Sequence, residues 1–584
     1  MDGVRMAVLS SRMNVIVEGM MNTIFRSSRS GVLNAAHDFS CCIVSADHQL
    51  VIGAESLPIH MMSGPDLISR AIVEAYPEPK RGDAYLHNSP YNGNSHAADH
   101  CMVVPVVDEQ GVHRFTILAK AHQADCGNSQ PTTYMSNARD VYEEGALIFD
   151  ACRVQNDYKD ADDILRMLKL RIRVPDQWWG DYLALLGSVR LGERRMLELG
   201  EEIGWDVLDE FVVEWLNYSE NMMSEAIAKL PAGSFSASTT HDPYPGAPDG
   251  VPIKVDVVVD PLAKRIDLDL RENVDCLPNG LNLTESTART AAMIGVFNSI
   301  GEGVPPNAGS LRRLDVALRD NCAVGIPRHP HSCSAATTNL ADRVSNMVQA
   351  AFAEYAEGVG MAECGAVIPA AAAVVSGRDP RSDHDFVNQI FLAVTGGAGT
   401  PWTDAWLTIF HVGCGGMLRR DSIEGAEMAH PILVRSQKLV QDTEGAGRYR
   451  GAPSAYVEYG PVGTTLSVAY GTDGAINPAK GVRGGAAGGP SQHYRRLRDG
   501  SLEELSQQGL IELGDGETIV SITAGGGGYG DPADRPADVV QRDVHERWIS
   551  ADRAMSVYGV ALDEAGAVDE KRTRELRSEP LVDA

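Results

Sequence analysis

The chain has 584 residues, 43% of them hydrophobic and 22% charged, with a formal net charge of −28 at pH 7. That length exceeds one hydrophobic core, so two to four domains of an ordinary globular protein are expected. The acidity argues against nucleic acid or an anionic membrane as a partner, and no run of about 20 apolar residues reads as a transmembrane helix.

Met13, Ile16, Val17, Met20, Met21, Ile24 and Phe25 recur at helical spacing, which predicts an amphipathic helix over 11–27. Residues 39–46 and 49–54 flank Asp47-His48 as a hairpin, with Asp38 at its entry. Residues 65–76 read as a second helix. Then comes Asn88-Ser-Pro-Tyr91-Asn-Gly-Asn-Ser-His96-Ala-Ala-Asp99-His100, which leads into the apolar run 101–107. Asp108-Glu-Gln-Gly111 is a turn signal, and 112–120 returns as a strand. A turn centred between Glu109 and Gln110 sets residue 97 opposite 122, so His96, Asp99 and His122 share the open end of the hairpin. Two imidazoles and a carboxylate there suit a three-ligand metal site with an open position. From spacing alone, the equal alternative is a set of surface polar residues around a turn.

Residues 160–230 are strongly helical. The stretch 231–252, rich in Gly, Pro, Ser and Thr, predicts a domain boundary or long loop. Residues 253–259 and 263–270 alternate like paired strands, and helices are expected over 284–301 and 339–356. Beyond about residue 395 the chain is Gly-rich and strand-like; it closes with a helix over 537–558 and a frayed polar tail from Asp563. The expected fold class is α/β (mixed α+β) and multi-domain. An N-terminal metal-site domain with β-hairpins and helices spans 1–235, a central α/β domain 236–395, and a β-rich C-terminal domain with a closing helix 396–584.

Three Gly-rich stretches, 445–451, 481–489 and 525–530, match neither a Walker A loop nor a dinucleotide fingerprint. They read as tight turns in which glycine supplies positive φ, so any ATP must be bound by another chain. The ten cysteines contain no C-x-x-C pair and read as reduced thiols of a cytoplasmic protein. No basic segment followed by an apolar core opens the chain, so no signal peptide is expected. Arg328-His-Pro-His331-Ser-Cys333 is a candidate substrate loop, and no G-x-S-x-G supports a serine nucleophile.

Together these residues resemble the hydantoinase B/oxoprolinase family, the B-type subunits of ATP-dependent hydantoinases, lactamases and ketone carboxylases. The matching motifs run through nearly the whole chain. They include Arg26-Ser-Ser-Arg-Ser30, Asp38-Phe-Ser40, Asn88-x-Pro-Tyr-x-Gly-x-x-His96-x-x-Asp99, His122-x-x-Asp125-x-Gly127, Tyr142-x-Glu-Gly145 and Val174-Pro-Asp176. Near the C-terminus they include 445–451, 525–532 and Tyr558-Gly-Val560. The resemblance implies a heteromeric enzyme. An A-type partner binds ATP with magnesium and phosphorylates the carbonyl oxygen of a small-molecule substrate. The B-type subunit holds one divalent ion, zinc, manganese or iron, and completes the reaction.

Carried onto this chain, the resemblance implies His96, Asp99 and His122 as ligands, with Asp38 as a fourth or a supporting group. Asp125 would orient an imidazole or act as a base, His100 or Asp125 would move protons, and Asn88 and Tyr91 would position substrate. The leading expectation is hydrolysis of a cyclic amide or imide. The alternatives are ketone carboxylation, for which an additional small subunit is expected, and a non-catalytic structural subunit. Ser89, Asn94, Ser95 and Ala98 depart from the usual N-D-P-Y-x-G-G-T-H-x-P-D pattern, and His100 is an added imidazole.

Overall fold

The computed structural model describes residues 1–366, 368–393, 396–407 and 411–578. At its centre is an antiparallel sheet of seven strands: β1 (Phe39–Ser45), β2 (Leu50–Gly53), β3 (Ala84–His87), β4 (Asp99–Val107), β5 (His113–His122), β6 (Cys152–Asn156) and β7 (Lys159–Asp160). Their spatial order is β2-β1-β5-β4-β3-β6-β7. Successive side chains of a strand point to opposite faces, and here both faces are covered. Phe39, Cys41, Ile43, Met102, Val104, Ile117 and Ala119 pack into one core with the helices Gly3–Ser27 and Pro175–Ile203. Cys42, Val44, Cys101, Val103 and Leu118 enter a second core with the helices Glu285–Ile300 and Leu340–Tyr355. Burial on both sides explains why β4 reads as a continuous apolar run although it is antiparallel.

The β4–β5 register differs from the sequence expectation by two residues: Asp99, not residue 97, stands opposite His122. The cause is the connection. Asp108 Oδ1 accepts the amides of Gln110 and Val112, Gly111 takes φ 79°, and the ladder slips between Val106 and Val107. Such a bulge adds a residue to one strand and shifts everything beyond it.

The stretch 231–252 corrects the expected loop. Gly233–His241 is a strand that pairs along its length with Val251–Asp260, and Arg265–Asp269 and Leu314–Ala317 complete a four-stranded sheet. Ser234, Ser236 and Ser238 are its exposed alternate positions, so a period of two outweighed a turn-like composition. The helix Glu285–Ile300 starts as its sequence suggests, with Thr284 and Thr287 exchanging side chain–backbone hydrogen bonds. At the C-terminal end, Ala537–His545 and Ala551–Ser556 replace the single expected helix. The tail is not frayed up to residue 578: Glu570–Arg577 is a helix, and Arg577 donates to the carbonyls of Arg535 (2.6 Å) and Tyr558 (3.2 Å). Among the described residues no helix is long and apolar enough to cross a membrane.

Two further sheets lie in the C-terminal part, where the three Gly-rich stretches interleave with one another. Gly445 N–H donates to Gly526 O, Gly525 N–H to Gly489 O, and Gly528 N–H to Ala486 O. A Cβ on Gly451 would stand 1.9 Å from Gly526 O, and one on Gly528 would stand 2.0 Å from Ala446 O. Of these stretches' glycines, Gly484 and Gly530 adopt positive φ. The others are needed because backbone lies directly on backbone, not for left-handed turns. Gly528→Ala is therefore expected to cost more than about 3 kcal/mol in urea unfolding, or to prevent folding.

His493 lies buried on the strand Gln492–Arg496, edge-on to Tyr470 at 5.0 Å, with neither ring nitrogen hydrogen-bonded. Burial pushes its pKa down from 6.5 to about 3. The unfolded chain takes up this proton and the folded chain refuses it. The contribution to stability is therefore whole above the ordinary histidine value and is lost as pH falls toward the folded one. Comparing urea melts at pH 7.5 and pH 5, His493→Phe should abolish about 2 kcal/mol of the acid-induced loss.

Candidate metal centre

The open end of β4–β5 points toward the second core. Pairing of Asp99 with His122 sets both side chains on that face, and the loop ahead of β4 returns His96 to them. Asparagines shape this loop. Asn94 Nδ2 donates to His96 O (2.7 Å) and Asp99 O (2.8 Å), while Asn88 Nδ2 donates to Ala97 O (2.7 Å) and Leu147 O (2.8 Å). Asn88 Oδ1 accepts the Phe149 amide. Asn88, expected to position substrate, here gives its side-chain amide to the backbone of this loop.

Three side-chain atoms converge. His96 Nε2 lies 2.9 Å from Asp99 Oδ1, His122 Nδ1 lies 3.0 Å from the same oxygen, and the two ring nitrogens are 3.2 Å apart. All three residues are buried. The far side of each ring is held as well: His96 Nδ1 by Ser334 O at 2.7 Å and His122 Nε2 by Thr133 Oγ1 at 3.0 Å. A carbonyl only accepts, so His96 Nδ1 carries a hydrogen, and Nε2 of the neutral ring is a lone pair. That lone pair faces a carboxylate oxygen and a second imidazole nitrogen. Atoms packed this closely need a hydrogen or a cation among them: His122 Nδ1–H, with Thr133 Oγ1 donating to its Nε2, or a bound ion in its place.

The electrostatics agree. Burial opposes charge on His96, but the carboxylate of Asp99 and its hydrogen bond outweigh it and raise the pKa. Burial likewise opposes ionisation of Asp99, yet His60, His96 and the hydrogen bond from His122 hold its carboxyl well below the usual range. Two imidazoles and a carboxylate suit zinc, manganese or iron(II), and rings fixed through their second nitrogens are what such a site needs. The residues therefore fit a divalent ion.

Sequence reasoning missed His60. It sits on the short turn Pro58–Met61, with Nε2 3.2 Å from Asp99 Oδ2 and 3.5 Å from Asp38 Oδ1. The two oxygens of Asp99 thus look in different directions, Oδ1 to His96 and His122, and Oδ2 to His60 and the hydroxyl of Ser95. Asp38 is tied in through its backbone, whose carbonyl accepts the His122 amide at 3.0 Å. Nothing in Leu57-Pro-Ile-His-Met-Met62 relates His60 to residue 96, so no spacing signal existed. Tyr134, also missed, stacks on the His122 ring at 5.2 Å.

Other expected site residues lie elsewhere. His100 follows Asp99 on β4 and so points to the opposite face, where Trp178 Nε1–H donates to its Nδ1 at 3.3 Å and Phe149 meets it edge-on. Burial drives its pKa down to about 3. It is packed among core aromatics, on the face of β4 opposite the cluster it was expected to serve. Asp125 accepts the Arg173 amide and pairs with the Arg173 guanidinium at 3.0 Å, which occupies the carboxylate expected to serve as a base or imidazole support. Tyr91 Oη donates to His331 O at 2.7 Å. The Arg328–Cys333 loop brings no imidazole to the cluster; it supplies Ser332, whose hydroxyl donates to the buried Glu144 at 2.6 Å.

Fold and cluster together define a multi-domain α/β protein with a candidate metal centre buried at the end of a covered sheet. The chain belongs to the hydantoinase B/oxoprolinase family, whose model matches residues 2–532. It is 26% identical to the beta subunit of the caprolactamase of Pseudomonas jessenii over 99% of both chains. It is 27% identical to the B-type subunit of a putative D-/L-hydantoinase of Pseudomonas sp. (strain NS671), over 98% of this chain and 97% of that one. The crystal structure of the ATP-dependent caprolactamase from Pseudomonas jessenii superposes with a TM-score of 0.90 at 26% identity, covering 99% of this chain and 100% of that one.

The supports of the two rings generate a prediction. Thr133→Val removes the partner of His122 Nε2 without changing volume. Zinc or manganese affinity, read by competition with a chelating dye, is expected to fall about 10- to 100-fold.

Proposed function

We propose that this chain is the metal-holding subunit of an ATP-dependent enzyme that opens a cyclic amide or imide after an A-type partner has phosphorylated the substrate's carbonyl oxygen. The observation that carries the reading is the convergence of His96 Nε2, Asp99 Oδ1 and His122 Nδ1, none more than 3.2 Å from another. Relatives named for caprolactam and hydantoin support the substrate class. A bound zinc, manganese or iron ion would supply Lewis acidity and a water acidic enough to attack at neutral pH.

This chain's own residues prepare that chemistry. His96, Asp99 and His122 present the donor atoms. Ser334 O and Thr133 Oγ1 fix the ring planes, and His60 holds Asp99 Oδ2. Asp38, whose Oδ1 is 3.5 Å from His60 Nε2, is a further carboxylate beside the cluster and serves as the fourth donor or supports the third. The packing of the Gly-rich loops against each other supports assigning ATP to the partner.

The test uses the chain co-purified with its partner, given ATP, labelled bicarbonate, and caprolactam, hydantoin or 5-oxoproline in turn. Ring-opened acid without label, matched by ADP, is the expected result. Label in the product would mean carboxylation, the activity named for the acetophenone carboxylase delta subunit of Aromatoleum aromaticum, to which the chain is 24% identical over 97% of its length and 87% of that one. His96→Ala should lower bound metal, by elemental analysis, to a small fraction of wild type. Ring opening should fall at least about 100-fold in a still-assembled complex.

A further inference from the structure

A second group of reactive side chains stands beside the candidate metal centre. Cys414 Sγ lies 2.7 Å from His411 Nε2, and His411 Nδ1 lies 3.0 Å from Asp342 Oδ1. All three residues are buried. Asp342 is in the first turn of Leu340–Tyr355, while His411 and Cys414 bracket the short 3-10 turn Val412–Cys414. The carboxylate can only accept from His411 Nδ1–H, which leaves Nε2 as a lone pair directed at the thiol. Nucleophile, base and a third group orienting the base are thereby in hydrogen-bond sequence.

The group adjoins the cluster that holds the candidate metal. The turn bearing Cys414 packs on the turn bearing His60; a Cβ on Gly413 would stand 3.4 Å from Ile59 Cβ. Burial holds the Cys414 thiol well above its ordinary pKa, reinforced by the charges of Asp38, Asp342 and Asp99. At rest the sulfur therefore keeps its proton, and His411 is the base in contact to take it.

We infer that Cys414, with His411 as base and Asp342 orienting that base, attacks the activated carbon of the substrate and carries it as a covalent acyl derivative. The inference rests on the proposed function, in that the electrophile is a cyclic amide phosphorylated on its carbonyl oxygen. Sulfur forms a bond to that carbon, the carbon–oxygen bond to phosphate breaks, inorganic phosphate leaves, and the thiol proton passes to His411 Nε2. Water then adds to the resulting thioimidate and the ring carbon–nitrogen bond breaks. The nitrogen leaves as an amine, and a thioester remains on Cys414. A second water releases the carboxylate and restores the thiol.

The test has two arms, both on the chain with its partner. In the first, iodoacetamide alkylation of each cysteine is timed by peptide mass spectrometry, with no substrate needed. His411→Asn and Asp342→Asn should each slow modification of Cys414 at least tenfold and leave the other cysteines unchanged. Equal rates, or no modification of Cys414 in wild type, overturn the inference. In the second, acid-quenched reactions with ATP and caprolactam, hydantoin or 5-oxoproline are searched for a substrate-mass adduct on the Cys414 peptide. Cys414→Ser should retain metal and assembly and lose at least 100-fold in turnover. Ring opening by Cys414→Ser at more than half the wild-type rate overturns the nucleophile while leaving the proposed function intact. No ring opening by wild type, together with His411-dependent alkylation, overturns the proposed substrate class and leaves the nucleophile standing.

Discussion

Everything at the candidate centre depends on one carboxylate, that of Asp99. It is fully buried, it faces three imidazoles, and it divides its oxygens between them. An isolated charge in such a place would be far too costly. Here the three histidines and the Ser95 hydroxyl offset the cost. The fold's part is to bring these groups to one point from four separate segments: the 58–61 turn, the 88–98 loop, β4 and β5.

What holds Asp99 in position is strand register. Side chains on β4 alternate between two cores, so a slip of one residue would turn Asp99 into the wrong core and bring His100 to the cluster. Both cores resist that slip. On one face Met102 and Val104 meet the N-terminal helices, and on the other Cys101 and Val103 meet the central ones. The connection at 108–112 adds a local lock through the two amides held by Asp108. Ser334 comes from a distant part of the chain, and its carbonyl closes on His96 only when the central region has docked on the sheet. The centre is thus a product of tertiary assembly, although three of its residues lie within 27 positions of sequence (96 to 122).

How much of this was legible in the sequence follows from which interactions are local. Helices such as Glu285–Ile300, with its Thr284 cap, and the β4–β5 hairpin could be read because periodicity and turn chemistry are short-range signals. His96, Asp99 and His122 could be grouped because a hairpin brings its own ends together. The register was misjudged by two residues, one from the bulge at Val106/Val107, which carries no composition signature, and one from the 108–112 connection, which centres the turn later than expected. Gly233–His241 was missed because Ser and Thr on an exposed strand face look like a loop. His60, Thr133, Tyr134 and Ser334 reach the site only by long-range packing, which no spacing encodes. His100 was drawn in by proximity along the chain, which on a strand is the weakest guide to proximity in space.

The interleaved glycines change what a family signature means. Stretches 445–451 and 525–532 are among the motifs that identify this chain as a member of its family. Their requirement, though, is that backbone lie on backbone where no Cβ fits. A motif of that origin reports the architecture and not the reaction. Chains similar to this one carry the names of hydrolases and of a carboxylase alike. Sorting those relatives by chemistry calls for the less conspicuous positions around Asp99, where a single hydroxyl such as Ser95 touches the carboxylate.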